Sequence, residues 1–311
     1  MSLPHSQPFA SDPPHRSREH RRRRMKRHGR RAYIRSVYFL PSLATLGNAI
    51  CGFGACYVAA MTLSTAGADP VARWAAEHRF TFAAGLIFLA MVFDALDGRL
   101  ARFARHTTDF GGQLDSLADV ISFGFAPAFI VLQLFKTQGP QDLPLAFSRL
   151  VWAIGALYMA CAAIRLARFN VSNEHGEQHH FSFLGLPSPG AGGAVAAFVL
   201  MQQELYKNYL DTGLQAFAVL SKVCLWLLPP IVLGTGLLMV SNIRYPHVVN
   251  RYLRGRRSIG RLVAVVAVVL LLITYPQYTL GLGTLVYAFW GATSVGLAKL
   301  RRKPTVGPPA A

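Results

Sequence analysis

The sequence predicts an all-α polytopic membrane bundle of about eight transmembrane helices, and composition and patterning together point to it. Of the 311 residues, 52% are hydrophobic and only 15% are charged, and the mean hydropathy is +0.32. A soluble domain of this size carries about a quarter charged residues. The apolar residues also fall into long blocks, and a helix needs about twenty such residues to cross a bilayer.

Eight apolar blocks are separated by polar or proline-containing links. The fifth block is the least hydrophobic because it contains Pro187, Pro189 and several glycines. The last two blocks are separated only by 275–277 and are expected to form a tight hairpin. The predicted spans are 43–63, 80–98, 120–136, 150–168, 185–204, 222–241, 259–275 and 278–298.

The net charge of +18 is unevenly distributed, and its distribution predicts the domain organisation. Residues 1–35 are polar and strongly basic, so we expect a disordered cytoplasmic arm, followed by a transmembrane catalytic domain over 36–300 and a cytoplasmic tail over 301–311. With eight spans starting inside, most Lys and Arg residues lie on the cytoplasmic side, as the positive-inside rule requires. We therefore expect a multi-pass protein of the cytoplasmic (inner) membrane. The arm runs into an apolar segment, so its expected partners are anionic membrane lipids and not nucleic acid.

An acidic motif stands where the second predicted span ends and the third begins. Asp94 and Asp97 are one helical turn apart, and so are Asp115 and Asp119 on the next helix. If these helix ends face each other, four carboxylates converge, and they cannot all stay ionised unless a cation intervenes. Oxygen-only ligands select hard cations, and four carboxylates can hold two of them. The motif therefore predicts two divalent ions, Mg²⁺ or Mn²⁺, and a cytoplasm-facing site.

A glycine and an arginine accompany these carboxylates. Gly98 allows a substrate to approach the backbone closely, and Arg102 can bind phosphate oxygens with its planar guanidinium group. A single aspartate here could instead cap a helix or pair with a neighbouring arginine. Four at this spacing favour a functional site, because carboxylates in a membrane are costly.

The motif Asp-x2-Asp-Gly-x2-Ala-Arg-x8-Gly-x3-Asp-x3-Asp over 94–119 resembles the signature of the CDP-alcohol phosphotransferase family. The resemblance implies that an alcohol displaces CMP from a CDP-linked lipid with the help of two divalent metals, and that the protein is a homodimer. It implies that Asp119 is the base that accepts the proton of the alcohol. The implied metal ligands are Asp94, Asp97, Asp115 and Asp119. The implied contacts with the CDP moiety are Gly98, Arg102 and Thr108.

Segments that flank the motif are similar to phosphatidylserine synthases of this family, which implies CDP-diacylglycerol as donor and L-serine as acceptor. The similar segments are 40–52, 115–124, 167–170, 185–189, and 239–241 together with Tyr245.

The acceptor and the lipid also set requirements that candidate residues can meet. The carboxylate of serine needs a cation, and Arg165 and Arg168 are one turn apart near the end of the fourth span. Both arginines could equally bind lipid phosphate or extend to the headgroups. Thr45 and Asn48, in the first span, are candidate contacts for the CDP-lipid. Asn48 could instead bond a neighbouring helix, and Thr45 its own backbone.

The sequence leaves three alternative functions open. The same chemistry could act on another alcohol, such as glycerol phosphate or inositol phosphate, both of which would call for more arginines near the metals. An intramembrane prenyltransferase also combines Asp-rich motifs with Mg²⁺ but lacks the Gly-x2-Ala-Arg element. A cation transporter would explain the carboxylates, but neither Arg102 nor the glycines.

Overall fold

The computed structural model describes residues 42–61, 69–104, 109–140, 142, 144–174, 185–243 and 259–301. Within these ranges the chain is helical and contains no strand, which confirms the all-α prediction. The predicted basic arm and nearly all of the predicted tail lie outside the described residues. The first five helices are α1 (Ser42–Ala60), α2 (Pro70–Glu77), α3 (Arg79–Ala104), α4 (Asp109–Asp119) and α5 (Ala126–Gln138). The others are α6 (Leu145–Glu174), α7 (Ser188–Thr212), α8 (Gln215–Val240), α9 (Ile259–Thr274) and α10 (Pro276–Arg301).

Five helical segments are long and apolar enough to cross a membrane, so the chain is a multi-pass membrane protein. These segments are Ser42–Ala60, Arg79–Leu100, Phe110–Gln138, Leu145–Val171 and Gln215–Val240. The other three predicted spans also fold as helices, namely α7, α9 and α10, but they are not among these five. The count of eight spans therefore stays a prediction.

The centre of the bundle is α7, which packs against α3, α8 and α10. Its first half is lined by small residues that let neighbouring helices approach closely. A Cβ added to Gly192 would lie 3.1 Å from the Cα of Phe123, and one added to Gly193 would lie 3.1 Å from the sulfur of Met91. Because protein covers this helix, it does not need the lipid-facing side chains that make other spans so apolar.

The opposite case is α9, which packs mainly on α10. From Leu262 to Thr274 its side chains are exposed on every face, and almost all of them are aliphatic. Exposed aliphatic side chains on every face of a helix are compatible with contact to lipid acyl chains. The site described next lies far from this hairpin in sequence, on α1, α3, α4 and α6.

Candidate metal and substrate site

Three carboxylates from two helices meet at one end of the bundle. Asp94 comes from α3, and Asp115 and Asp119 come from α4, one turn apart. One carboxylate oxygen from each lies within 4.8 Å of the other two. Asp119 is only 7% exposed, whereas Asp94 and Asp115 are half-buried. We call these three residues the acidic cluster.

The fourth carboxylate of the motif, Asp97, is buried beside this cluster and has a partner of its own. The hydroxyl of Thr45, on α1, donates a hydrogen bond to its Oδ2. The charge of Asp97 still acts on Asp94 and Asp115, so all four carboxylates contribute to one negative region. The structure thus brings three of the four predicted ligands together and places the fourth against α1.

Asn48 connects α1 to the acidic cluster. This residue is fully buried, and its Nδ2 donates to Oδ1 of Asp119 at 3.0 Å. Its own Oδ1 is buried and has no hydrogen-bond partner among the described residues. Thr45 and Asn48, one turn apart on α1, therefore each hold one carboxylate, on α3 and α4 respectively. For Asn48 this matches the alternative of a bond to a neighbouring helix.

The two arginines of α6 have different surroundings. Arg165 is half-buried, donates from Nη1 to Oγ of Ser188 at 2.6 Å, and lies close enough to Asp119 to interact with its charge. Its Nε is buried and has no partner among the described residues. Arg168 is exposed and donates from Nη1 to Oδ1 of Asn242, just beyond α8, at 3.2 Å. Arg165 is the cation whose charge acts on Asp119.

The residues predicted to contact the CDP moiety are only partly described. Gly98 is exposed, and a Cβ added there would have no atom within 4 Å, so open space adjoins its backbone. The side chain of Arg102 and all of Thr108 lie outside the described residues.

Sequence reasoning assigned no role to four hydrogen-bonding residues that hold the site together. Ser116 Oγ and Asn170 Nδ2 are 2.9 Å apart, which ties α4 to α6. Ser122 donates to the backbone oxygen of Asn48 at 2.8 Å, and Tyr158 donates to that of Phe123 at 3.0 Å. Ser116, Ser122 and Asn170 lie inside segments already noticed for their similarity, whereas no local pattern marks Tyr158.

The donor set fits a hard divalent cation. The acidic cluster offers carboxylate oxygens only, and the unpartnered oxygen of Asn48 lies on the side chain that bonds Asp119. Carboxylate and amide oxygens are the ligands that Mg²⁺ and Mn²⁺ prefer, and like charges this close need positive charge between them. Among the described side chains, Arg165 of α6 is the one cation whose charge acts on Asp119, so it supplies one positive charge against four carboxylates.

Comparison with known proteins gives the family context of this site. Residues 38–228 match the family model described as CDP-alcohol phosphatidyltransferase. The chain is 32% identical over 214 residues to the CDP-diacylglycerol–serine O-phosphatidyltransferase of Helicobacter pylori strain 26695, covering 69% of this chain and 74% of the relative. It is 32% identical over 206 residues to the enzyme of that name from Methanocaldococcus jannaschii, covering 66% and 80%. It is 33% identical over 165 residues to archaetidylserine synthase of Methanothermobacter thermautotrophicus, covering 52% and 57%.

Proposed function

This chain belongs to the CDP-alcohol phosphatidyltransferase family, and from that premise we propose that it transfers the phosphatidyl group of CDP-diacylglycerol to L-serine. The products are phosphatidylserine and CMP. The observation that carries the proposal is the acidic cluster, whose oxygens lie within 4.8 Å of one another at the end of membrane helices. The names of the relatives support serine as the acceptor.

Two divalent ions, Mg²⁺ or Mn²⁺, are proposed to bind at Asp94, Asp97, Asp115 and Asp119. When bound, they supply charge neutralisation for the pyrophosphate and for the departing CMP. Thr45 and Asn48 are proposed to orient two of these carboxylates, because they donate hydrogen bonds to Asp97 and Asp119. The free Oδ1 of Asn48 remains available to a donor on the CDP-lipid.

Asp119 is the proposed general base. It accepts the proton of the serine hydroxyl as the serine oxygen forms a bond to the phosphorus that carries the diacylglycerol. The bond between that phosphorus and the bridging oxygen of CMP breaks, and CMP leaves with the electron pair. A positioned carboxylate is needed because an alcohol is a poor nucleophile at neutral pH. Asn48 holds Oδ1 of Asp119, which leaves Oδ2 to face the alcohol.

The remaining residues are proposed to bind the two substrates. Gly98, Arg102 and Thr108 contact the CDP moiety, and the open space beside Gly98 supports this for that residue. Arg165 binds the serine carboxylate, because it interacts with Asp119 and its Nε has no other partner among the described residues. Arg168 contributes charge from a more exposed position.

The setting of the reaction is part of the proposal. The distribution of Lys and Arg supports a multi-pass protein of the cytoplasmic membrane with its site facing the cytoplasm, and a basic arm that binds anionic lipids. A substrate with acyl chains must reach the metals while those chains stay in the bilayer, so the site is expected to open laterally. A homodimer is proposed from the family resemblance alone.

The test is CMP release by the purified protein with CDP-diacylglycerol and Mg²⁺ or Mn²⁺, with and without L-serine. Serine-dependent release that a chelator abolishes is the expected result. Release that depends on glycerol phosphate or inositol phosphate instead of L-serine would support the proposed reaction but show that the acceptor is a different alcohol. No release with any alcohol from a folded sample would contradict the proposal and favour a cation-binding transporter.

A further inference from the structure

A π-helical turn, Val120–Phe125, joins the helix that carries Asp119 to the apolar helix α5. In this turn the N–H of Ala126 bonds to the carbonyl of Ile121, five residues earlier. Single π-turns are rare inside helices and occur frequently at functional sites. Here the turn begins at the residue after Asp119, so its geometry sets how α4, which carries Asp119, is rotated relative to α5.

The sequence contains a local cause for the turn. Pro127, in the first turn of α5, has no N–H, so the carbonyl of Phe123 lacks its usual α-helical donor. The hydroxyl of Tyr158, from α6, donates to that carbonyl at 3.0 Å. Tyr158 is only 1% exposed, and burying a phenol so deeply is costly unless the hydroxyl is bonded. A side chain from another helix thus supplies a hydrogen bond where proline removes one.

A second hydroxyl fixes the turn from the other side. Ser122 Oγ donates to the backbone oxygen of Asn48 at 2.8 Å, and the side chain of Asn48 donates to Asp119 at 3.0 Å. The close approach of α1 depends on Gly52, since a Cβ added there would lie 2.7 Å from the Cα of Ser122. Asn48, Ser122 and Asp119 therefore form a closed set of contacts between α1 and the turn.

We propose that Ser122 and Tyr158 are positioning residues that hold the π-helical turn so that α4 directs the carboxylates of Asp119 and Asp115 toward Asp94 on α3. Each residue of an α-helix advances it by about 100°, so a turn with one residue more or fewer would rotate α4, with both Asp115 and Asp119, away from Asp94 on α3. The consequence for turnover rests on the proposed function, whereas the consequence for metal binding does not. Neither hydroxyl is proposed to touch a substrate.

Two variants remove these hydroxyls with little change in volume, Tyr158→Phe and Ser122→Ala. The matched control is Thr235→Val, because Thr235 is equally buried but bonds only to carbonyls of its own helix, at 2.7 and 3.2 Å. Mn²⁺ affinity is measured by electron paramagnetic resonance of the free ion, and kcat and KM by CMP release. We expect both positioning variants to lose about tenfold in Mn²⁺ affinity and in kcat, with the KM for CDP-diacylglycerol within about twofold of wild type.

The outcomes separate this proposal from the proposed function. Unchanged Mn²⁺ affinity and kcat in either variant, if it is monodisperse and folded, would overturn the role of that hydroxyl. Equal losses in Thr235→Val would overturn the proposal as a whole, because they would reflect general loosening of the bundle. If the wild type binds Mn²⁺ but releases no CMP, the proposed function fails, and the Mn²⁺ affinities of the variants still decide the positioning role. A wild type that binds no Mn²⁺ overturns both.

Discussion

The acidic cluster and a second group of buried polar side chains satisfy their polar atoms in different ways. The second group, which we call the glutamine cluster, consists of Gln138, Gln202, Gln203 and Ser221. Nε2 of Gln202 donates to Oε1 of Gln138 at 3.0 Å and to Oγ of Ser221 at 3.1 Å. Nε2 of Gln203 donates to Oε1 of Gln202 at 2.5 Å and to Oε1 of Gln138 at 3.3 Å. This cluster is neutral and supplies its own partners.

The acidic cluster is not neutral, and it does not supply all of its own partners. Its members share one sign of charge, and the two buried side-chain atoms without a partner among the described residues belong to its neighbours, Asn48 and Arg165. Asp119 and Gln138 belong to one continuous span, 19 residues apart or about 28 Å along a helix, so one membrane segment serves both clusters. A buried polar network that is complete stabilises a fold, whereas an incomplete one needs an outside partner. The difference supports the proposed functional role of the acidic cluster and a structural role for the glutamine cluster.

The largest expected effect comes from Asp119→Asn. The substitution keeps the size of the side chain and a hydrogen-bonding oxygen for Asn48, but it removes the charge that the base and the metal require. We expect turnover to fall by about a thousandfold or more, within the range of a lost general base, while the protein stays folded. CMP release and size-exclusion chromatography measure the two effects. Asp211→Asn, at an exposed aspartate near the end of α7, is the control that should remain active. Retained turnover in Asp119→Asn would remove this residue as the base.

The next effect concerns the acceptor. Lysine at position 165 keeps the positive charge but loses the planar fork that matches a carboxylate. Since a hydrogen bond to a charged group contributes about 1.5–3 kcal/mol, Arg165→Lys should raise the KM for L-serine about tenfold to a hundredfold and leave the KM for CDP-diacylglycerol unchanged. Arg149→Lys, an exposed arginine at the other end of α6, is the matched control. If only the KM for the CDP-lipid rose, Arg165 would bind the lipid phosphate and not the serine carboxylate.

Metal binding should also distinguish the clusters through stability. A ligand present at a hundred times its Kd stabilises the folded state by about 2.7 kcal/mol. Mg²⁺ or Mn²⁺ should therefore raise the unfolding temperature of the wild type, and of a variant in the glutamine cluster, but not of Asp115→Asn. In chelator, Asp115→Asn should unfold at a higher temperature than the wild type, because one of the mutually repelling charges is gone. The same metal-dependent rise in Asp115→Asn would show that the ions bind elsewhere.

The residues that sequence reasoning found are those with local signals. Long apolar blocks predict helices because the thickness of a membrane fixes their length. The aspartates are recognisable because they recur at helical spacing and because a carboxylate in a membrane is energetically costly. The partners of those aspartates are non-local: Thr45 and Asp97 are 52 residues apart, and Asn48 and Asp119 are 71 apart. Which polar groups face each other depends on helix packing, and a single sequence does not encode that locally.

Two further features escaped prediction for physical reasons of their own. The segment over 185–204 was predicted as a span, but its position at the centre of the bundle was not: its prolines and glycines make it weakly hydrophobic, and it packs against α3, α8 and α10. The π-helical turn was not predicted because a proline in the first turn of a helix is common. Here the proline leaves the carbonyl of Phe123 without its α-helical donor, and the structure shows that Tyr158 of α6 bonds this carbonyl instead. Both features follow from tertiary contacts and not from local propensity.

The smallest expected effect belongs to the glutamine cluster and is confined to stability. Gln202→Leu removes two donated hydrogen bonds and the oxygen that accepts from Gln203, so it should destabilise the folded state by about 1–3 kcal/mol. Thermal unfolding measures this loss, and CMP release should keep kcat and the KM for L-serine within about twofold of wild type. Gln215→Leu, at an exposed glutamine that begins α8, makes the same chemical change and should alter stability by less than about 0.5 kcal/mol. If Gln202→Leu instead lowered turnover without lowering stability, the glutamine cluster would be coupled to the site along the shared span, and the division between the two clusters would fail.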